Sequence, residues 1–280
     1  MTVDFTRHLS LPPKWSTIVP TIMNSEAHSR YNRVPKVTAD FWLIKLMAVT
    51  MGETAADYIN VQMGLGLTTT SLIMAAVLLG ALAWQFRQKR YFPAPYWLSV
   101  VLISVVGTLI TDNLVDTFHI PLLVTTIAFA IALAATFITW FLSERTLSIH
   151  SIFTTRREAF YWLAILFTFA LGTAAGDLVS EQFALGYLSA GILFGMIILS
   201  LSLGYFFLGL DGILGFWLVY ILTRPLGASF GDLLSQPTQY GGLGLGTVIT
   251  SAIFLAAIVA IVIFMTVRHE GEELITEANG

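Results

Sequence analysis

The chain has 280 residues, 56% of them hydrophobic and only 11% charged, whereas an ordinary soluble domain carries about a quarter charged residues. Lipid is therefore the solvent expected for most of it. Cysteine is absent, which excludes disulfides, thiolate metal ligands and a cysteine nucleophile.

In chain order, residues 1–34 come first, and they lack the apolar core and small-residue cleavage site of a signal peptide. They hold Pro12, Pro13 and Pro20 with Arg7, Lys14, Arg30 and Arg33, and read as a cytoplasmic arm. Eight stretches follow, each near the roughly 20 residues needed to cross about 30 Å of hydrocarbon. They fall at about 41–60, 68–86, 95–114, 122–142, 159–180, 185–207, 213–233 and 245–267. The expected fold is an all-α membrane bundle of eight transmembrane helices, divided into 35–150, 151–268 and a cytoplasmic tail, 269–280.

Basic residues set the orientation, because Lys and Arg collect in short loops that are not translocated. Of fourteen, all but Lys45 and Arg224 fall in the N-terminal arm, the 87–94 and 143–158 loops, or near Arg268. Both termini are expected in the cytoplasm, with the chain spanning an inner membrane. The net charge of −3 carries no nucleic-acid signal, since the basic residues report topology and do not gather on one soluble face.

One motif recurs four times: an aromatic residue, Trp, nine residues, Gly, four residues, Asp. The copies are Phe41-Trp42, Gly52, Asp57; Tyr96-Trp97, Gly107, Asp112; Tyr161-Trp162, Gly172, Asp177; and Phe216-Trp217, Gly227, Asp232. The tryptophans are spaced so that copies one and two match copies three and four at a constant offset, which fits a duplicated half that is itself a duplication. Each unit contains a motif helix and a plainer second helix, so the four units are parallel and their aspartates share one depth. With these motifs, and with Gly52-Glu53-Thr54 and Arg224-Pro225-Leu226-Gly227 in the first and last copies, residues 35–268 resemble a family of bacterial membrane proteins. Its members consist of four tandem repeats of unknown function, each with two membrane spans and a tryptophan. The resemblance implies this organisation and no activity.

Trp42, Trp97, Trp162 and Trp217 suit an interfacial aromatic belt, with a lid over a pathway as the alternative. Each glycine has a small residue four positions on (Ala56, Thr111, Gly176, Gly231), a spacing that lets helices approach closely in lipid. An aspartate in mid-helix costs about 2.5–3.5 kcal/mol on insertion scales, so Asp57, Asp112, Asp177 and Asp232 are expected to face the interior. There they would either glue the bundle by hydrogen bonds or, with Glu53 and the hydroxyls of Thr54, Thr108, Thr111, Thr173 and Ser229, bind a hard cation. The other possible occupant is a proton, because crowded carboxylates repel one another.

Arg224 lies too deep to reach the surface and is expected to pair with Glu53, either as a fixed ion pair or as a gating cation displaced by substrate. Lys45 is expected to snorkel to the cytoplasmic surface. Asp116 and Glu181 occupy matching positions, as an outer acidic vestibule or as solvated loop charges, with His119 near the first. No zincin helix, Gly-x-Ser-x-Gly elbow or His-Glu-x-x-His spacing indicates an enzyme. The functional expectation is a cation transporter or exporter, or a related channel, for a divalent metal, sodium or protons. A scaffold or sensor with structural aspartates is the alternative. The partners expected are the lipid bilayer and a small inorganic cation or proton, without a resident cofactor and without nucleic acid.

Overall fold

The computed structural model describes residues 32–59 and 66–278, the side chains beyond 267 excepted. Among the described residues there are eight long helices and no strand: α1 Ala39–Asp57, α2 Leu67–Phe86, α3 Pro93–Asp112, α4 Leu122–Glu144, α5 Thr155–Asp177, α6 Tyr187–Leu208, α7 Gly212–Ser235 and α8 Thr247–Ala278. Seven, α2 to α8, are long and apolar enough to cross a membrane. Helix α1 falls short of that hydropathy because its 19 residues include Asp40, Lys45, Glu53 and Asp57. Length and composition together suggest a multi-pass membrane protein.

Local chemistry starts each helix. Thr38 caps α1 through its hydroxyl, which accepts from the Phe41 amide; Pro93 opens α3; Thr154 and Asp211 cap α5 and α7. A side-chain acceptor satisfies one of the orphan amides of a first turn, and proline loses nothing there. Gly66, Gly186 and Gly246 precede α2, α6 and α8 at φ of 76°, 76° and 78°, a left-handed turn that glycine adopts without steric cost.

The odd-numbered helices carry the motif and form an inner ring. Helix α1 packs on α3, α3 on α5, α5 on α7, and α7 back on α1. Each even-numbered helix lies outside this ring against the inner helix of the following repeat: α2 on α3, α4 on α5, α6 on α7, and α8 on α1. Burial follows the arrangement. Half or more of the apolar stretch is buried in α3, α5 and α7, but less than a quarter in α2, α4, α6 and α8. An outer helix that is apolar all round and buried on one side only suits lipid on its remaining surface.

Beyond three of the aspartates the inner helices widen. Asn113–Thr117 and Leu178–Gln182 are π-helical turns that follow Asp112 and Asp177 directly, and Tyr58 and Ile59 continue in the same way from Asp57. In the fourth repeat α7 instead runs regularly past Asp232 to Ser235.

Candidate functional site

The motif glycines bring the inner helices together in a cyclic seam. A Cβ added to Gly52 would collide with Ser104, one on Gly107 would stand 2.9 Å from the Phe169 Cβ, one on Gly172 would collide with Arg224, and one on Gly227 would lie 2.5 Å from Val49 Cγ1. Every partner sits three residues before the glycine of the next repeat, and the fourth repeat closes on the first. Hydroxyls cross the same seams: Thr111 donates to the Ala170 carbonyl at 3.1 Å, and Thr50 to the Gly227 carbonyl at 3.1 Å. With no hydrophobic drive between helices in lipid, such close approach and hydrogen bonding hold a bundle.

At the N-terminal ends of the inner helices the aromatic pairs form a second closed ring. Phe41 meets Trp97 at 5.7 Å between centroids, Tyr96 meets Trp162 at 5.5 Å, Tyr161 meets Trp217 at 6.2 Å, and Phe216 meets Trp42 at 5.6 Å. The tyrosine hydroxyls of Tyr96 and Tyr161 are 2.6 Å apart. This corrects the belt expectation. Trp97, Trp162 and Trp217 are buried and Trp42 is half-buried. Their position at a helix start was read as exposure to headgroups, but neighbouring segments cover it and supply hydrogen-bond acceptors. The indole N–H of Trp97 donates to Tyr91 Oη (3.2 Å), that of Trp162 to Glu158 Oε1 (3.4 Å), and that of Trp217 to the Leu147 carbonyl (3.0 Å).

Lys45 does not snorkel either. It is fully buried, its Nζ donates to the Tyr220 carbonyl (2.9 Å) and to Thr223 Oγ1, and it stands 3.9 Å from the Tyr220 ring centroid. The helical repeat explains the difference. Lys45 is four residues after Phe41, so both project from the face that the ring closes over, and the electron-rich ring face attracts a cation.

Deeper along the axis the repeats stop being equivalent. The residues after the four glycines are Glu53, Thr108, Thr173 and Ala228. The first three converge on one guanidinium. Arg224 Nη2 donates to Glu53 Oε2 at 2.7 Å, to Thr173 Oγ1 at 2.7 Å and to Thr108 Oγ1, while Nη1 donates to the Val49 carbonyl at 3.5 Å. The repeat whose own residue at this level, Ala228, has nothing to offer is the one that supplies the arginine. Arg224 has no exposed surface, and Gly172 leaves it room.

Three carboxylates meet beside it. One oxygen each from Glu53, Asp177 and Asp232 lies within 4.8 Å of the other two. Oxygens on opposite sides of a calcium ion bound at about 2.4 Å would be about 4.8 Å apart, so the spacing admits a hard cation. Asp57 and Asp112 lie outside this trio, although Glu53 is close enough to act electrostatically on all four aspartates. No aspartate of the motif makes a side-chain hydrogen bond to another described residue, as structural glue would require. Asp116 and His119 are exposed, and Glu181, also exposed, accepts from the Tyr187 hydroxyl at 3.3 Å.

Sequence reasoning passed over Glu158. It is fully buried at the aromatic end, where Arg33 Nη1 lies 2.6 Å from Oε2 and Gln85 Nε2 donates to Oε1 at 2.9 Å. Asn32 ties the same strand of chain to 149–152, through Nδ2 to the Ile149 carbonyl and Oδ1 from the Ile152 amide. A signal existed: Glu158 is four residues before Trp162, on the same face of α5.

A family model described as a Repeat of Unknown Function matches residues 41–91, 95–146, 160–209 and 215–270. Each match opens in the first turns of an inner helix, at or beside the residue before the motif tryptophan, and runs through the outer helix that follows, or in the fourth copy through most of it. No curated protein and no solved structure matches the chain. With four copies covering most of its length, the chain belongs to the family of the Repeat of Unknown Function (DUF347).

Proposed function

We propose that this is a polytopic protein of the bacterial inner membrane that moves a small cation, a divalent metal, sodium or a proton, through a site formed by Glu53, Asp177 and Asp232. The trio carries the proposal. Three carboxylates from three repeats meet inside an apolar bundle with one guanidinium among them. Lys45, eight residues before Glu53 on α1, is about 12 Å away along the helix axis at 1.5 Å per residue. Uncompensated charge in such surroundings is expensive, and a bound cation or proton removes the excess. Asp57 and Asp112 extend the negative field on the same side. The aromatic ring and Arg224 stand between the trio and the opposite end, which fits a conformation open on one side only. Rocking of 35–150 against 151–268 is one way to alternate access.

A scaffold or sensor would use the aspartates to bind helices together, and their lack of hydrogen bonds to described residues counts against it. Nothing in the site calls for covalent chemistry, and the proposal is not an enzyme.

The decisive experiment is cation flux in proteoliposomes, with thermal stabilisation of the purified protein by sodium, calcium, magnesium and manganese salts. Asp177→Asn and Asp232→Asn remove charge without stranding Arg224, so they should abolish flux and cation-dependent stabilisation while the protein stays folded. An unchanged cation response in both variants rejects the site. The distribution of basic residues supports an orientation with the aromatic end and both termini in the cytoplasm. Reporter fusions near residues 88 and 150 and at the two termini should all report inside, and an outside signal at any of them rejects that orientation.

A further inference from the structure

Resting on the cation-site reading above, we propose that Arg224 is a tethered substitute cation: when no ion lies among Glu53, Asp177 and Asp232, its guanidinium offsets part of the cluster's charge, which lowers the cost for the empty protein to change the side to which it opens. Transport is then net movement and not obligatory exchange.

A trio of carboxylates that released its ion without replacement would be an uncompensated charge in hydrocarbon, and its reorientation would be strongly disfavoured. Arg224 already holds Glu53 Oε2 at 2.7 Å. Asp232 is only 7% exposed, makes no side-chain hydrogen bond to a described residue, and has an oxygen in the trio. It is a buried acceptor left over for a ligand that Arg224 does not satisfy.

A fixed ion pair needs only its partner, but Arg224 also rests on neutral acceptors, Thr108 Oγ1, Thr173 Oγ1 and the Val49 carbonyl. Those contacts let the guanidinium release Glu53 to an ion and remain hydrogen-bonded. Arg224 Nε has no partner among the described residues, so the observed pose does not exhaust its donors. Pro225 deprives the Ile221 carbonyl of its helical partner in the turn that carries Arg224.

A guanidinium stays charged throughout the accessible pH range, so it cannot abandon the empty cluster by losing a proton.

The test uses the full chain in proteoliposomes with radioactive sodium, calcium or manganese as the probe, each alone. Net uptake into ion-free vesicles is compared with exchange into vesicles preloaded with the same ion. The parent should show both. Arg224→Gln should keep exchange within a few-fold and lose net uptake at least tenfold, and Arg224→Lys should restore net uptake. If Arg224→Gln does not fold, Arg224→Lys is followed as pH rises: a buried lysine can lose its proton, so net uptake should fall more than exchange in that variant and not in the parent. Equal loss of both modes, or retention of both, would make Arg224 a structural ion pair and overturn the proposal. A parent with neither flux nor cation-dependent stabilisation overturns the cation site itself, and that result appears before any variant is measured.

Discussion

The aromatic end of the inner ring and its carboxylate level are built from the same four helices and obey opposite rules. At the aromatic end every repeat supplies a Phe or Tyr followed by Trp, and the four cross-repeat ring contacts span only 5.5 to 6.2 Å. At the next level the equivalent residues are Glu53, Thr108, Thr173 and Ala228, and one repeat alone contributes an arginine. Repetition makes the shape, and departures from it make the chemistry. A symmetric seam can be closed by identical glycines, whereas a charge needs a partner unlike itself.

The largest effect is expected where the repetition is broken. Arg224→Leu strands Glu53 in the bundle and should cost about 3–5 kcal/mol, while Arg224→Leu with Glu53→Gln should recover most of it, because removing both members of a buried pair is often close to neutral. A thermal-melting cycle measures the coupling. Additive losses would mean that Arg224 is balanced mainly by Asp177, Asp232 or the hydroxyls.

A smaller effect is expected where the repetition holds. Gly227→Ala drives a methyl group into Val49, and Gly172→Ala drives one into Arg224, so each should cost about 1–3 kcal/mol through overpacking. The smallest belongs to Gly204 on the outer helix α6, where an added Cβ meets nothing within 4 Å. Gly204→Ala should be neutral or stabilise by up to about 1 kcal/mol through helix propensity. Equal losses at Gly204 and Gly227 would contradict the division into a tight inner seam and an open exterior.

The helices and the repeat were legible because both signals are periodic. Eight apolar stretches matched eight helices within a few residues, except that α8 continues to Ala278, through most of the expected tail, and the register of Trp, Gly and Asp marked four equivalent helices. The Arg224–Glu53 pair was legible too, since a deep arginine needs an acid at its own depth. Other features were not, because they depend on which face of a helix turns inward. Lys45 and the tryptophans look superficial when only distance from the helix start is considered, yet the ring and the segments folded over it bury them. The trio of Glu53, Asp177 and Asp232 was also hidden among five acids at similar depth, because its membership depends on side-chain direction, which spacing along one helix does not report. Residues 1–31, read as most of the cytoplasmic arm, lie outside the described residues.

The central claim, that the departures from repetition create a cation site, meets its most direct test in an experimental structure of the protein soaked with manganese, using the anomalous signal of the metal. The account predicts one peak bounded by carboxylate oxygens of Glu53, Asp177 and Asp232, lost in Asp177→Asn and Asp232→Asn. Manganese found only at exposed acids such as Asp116 and Glu181, with the trio unchanged, would contradict it.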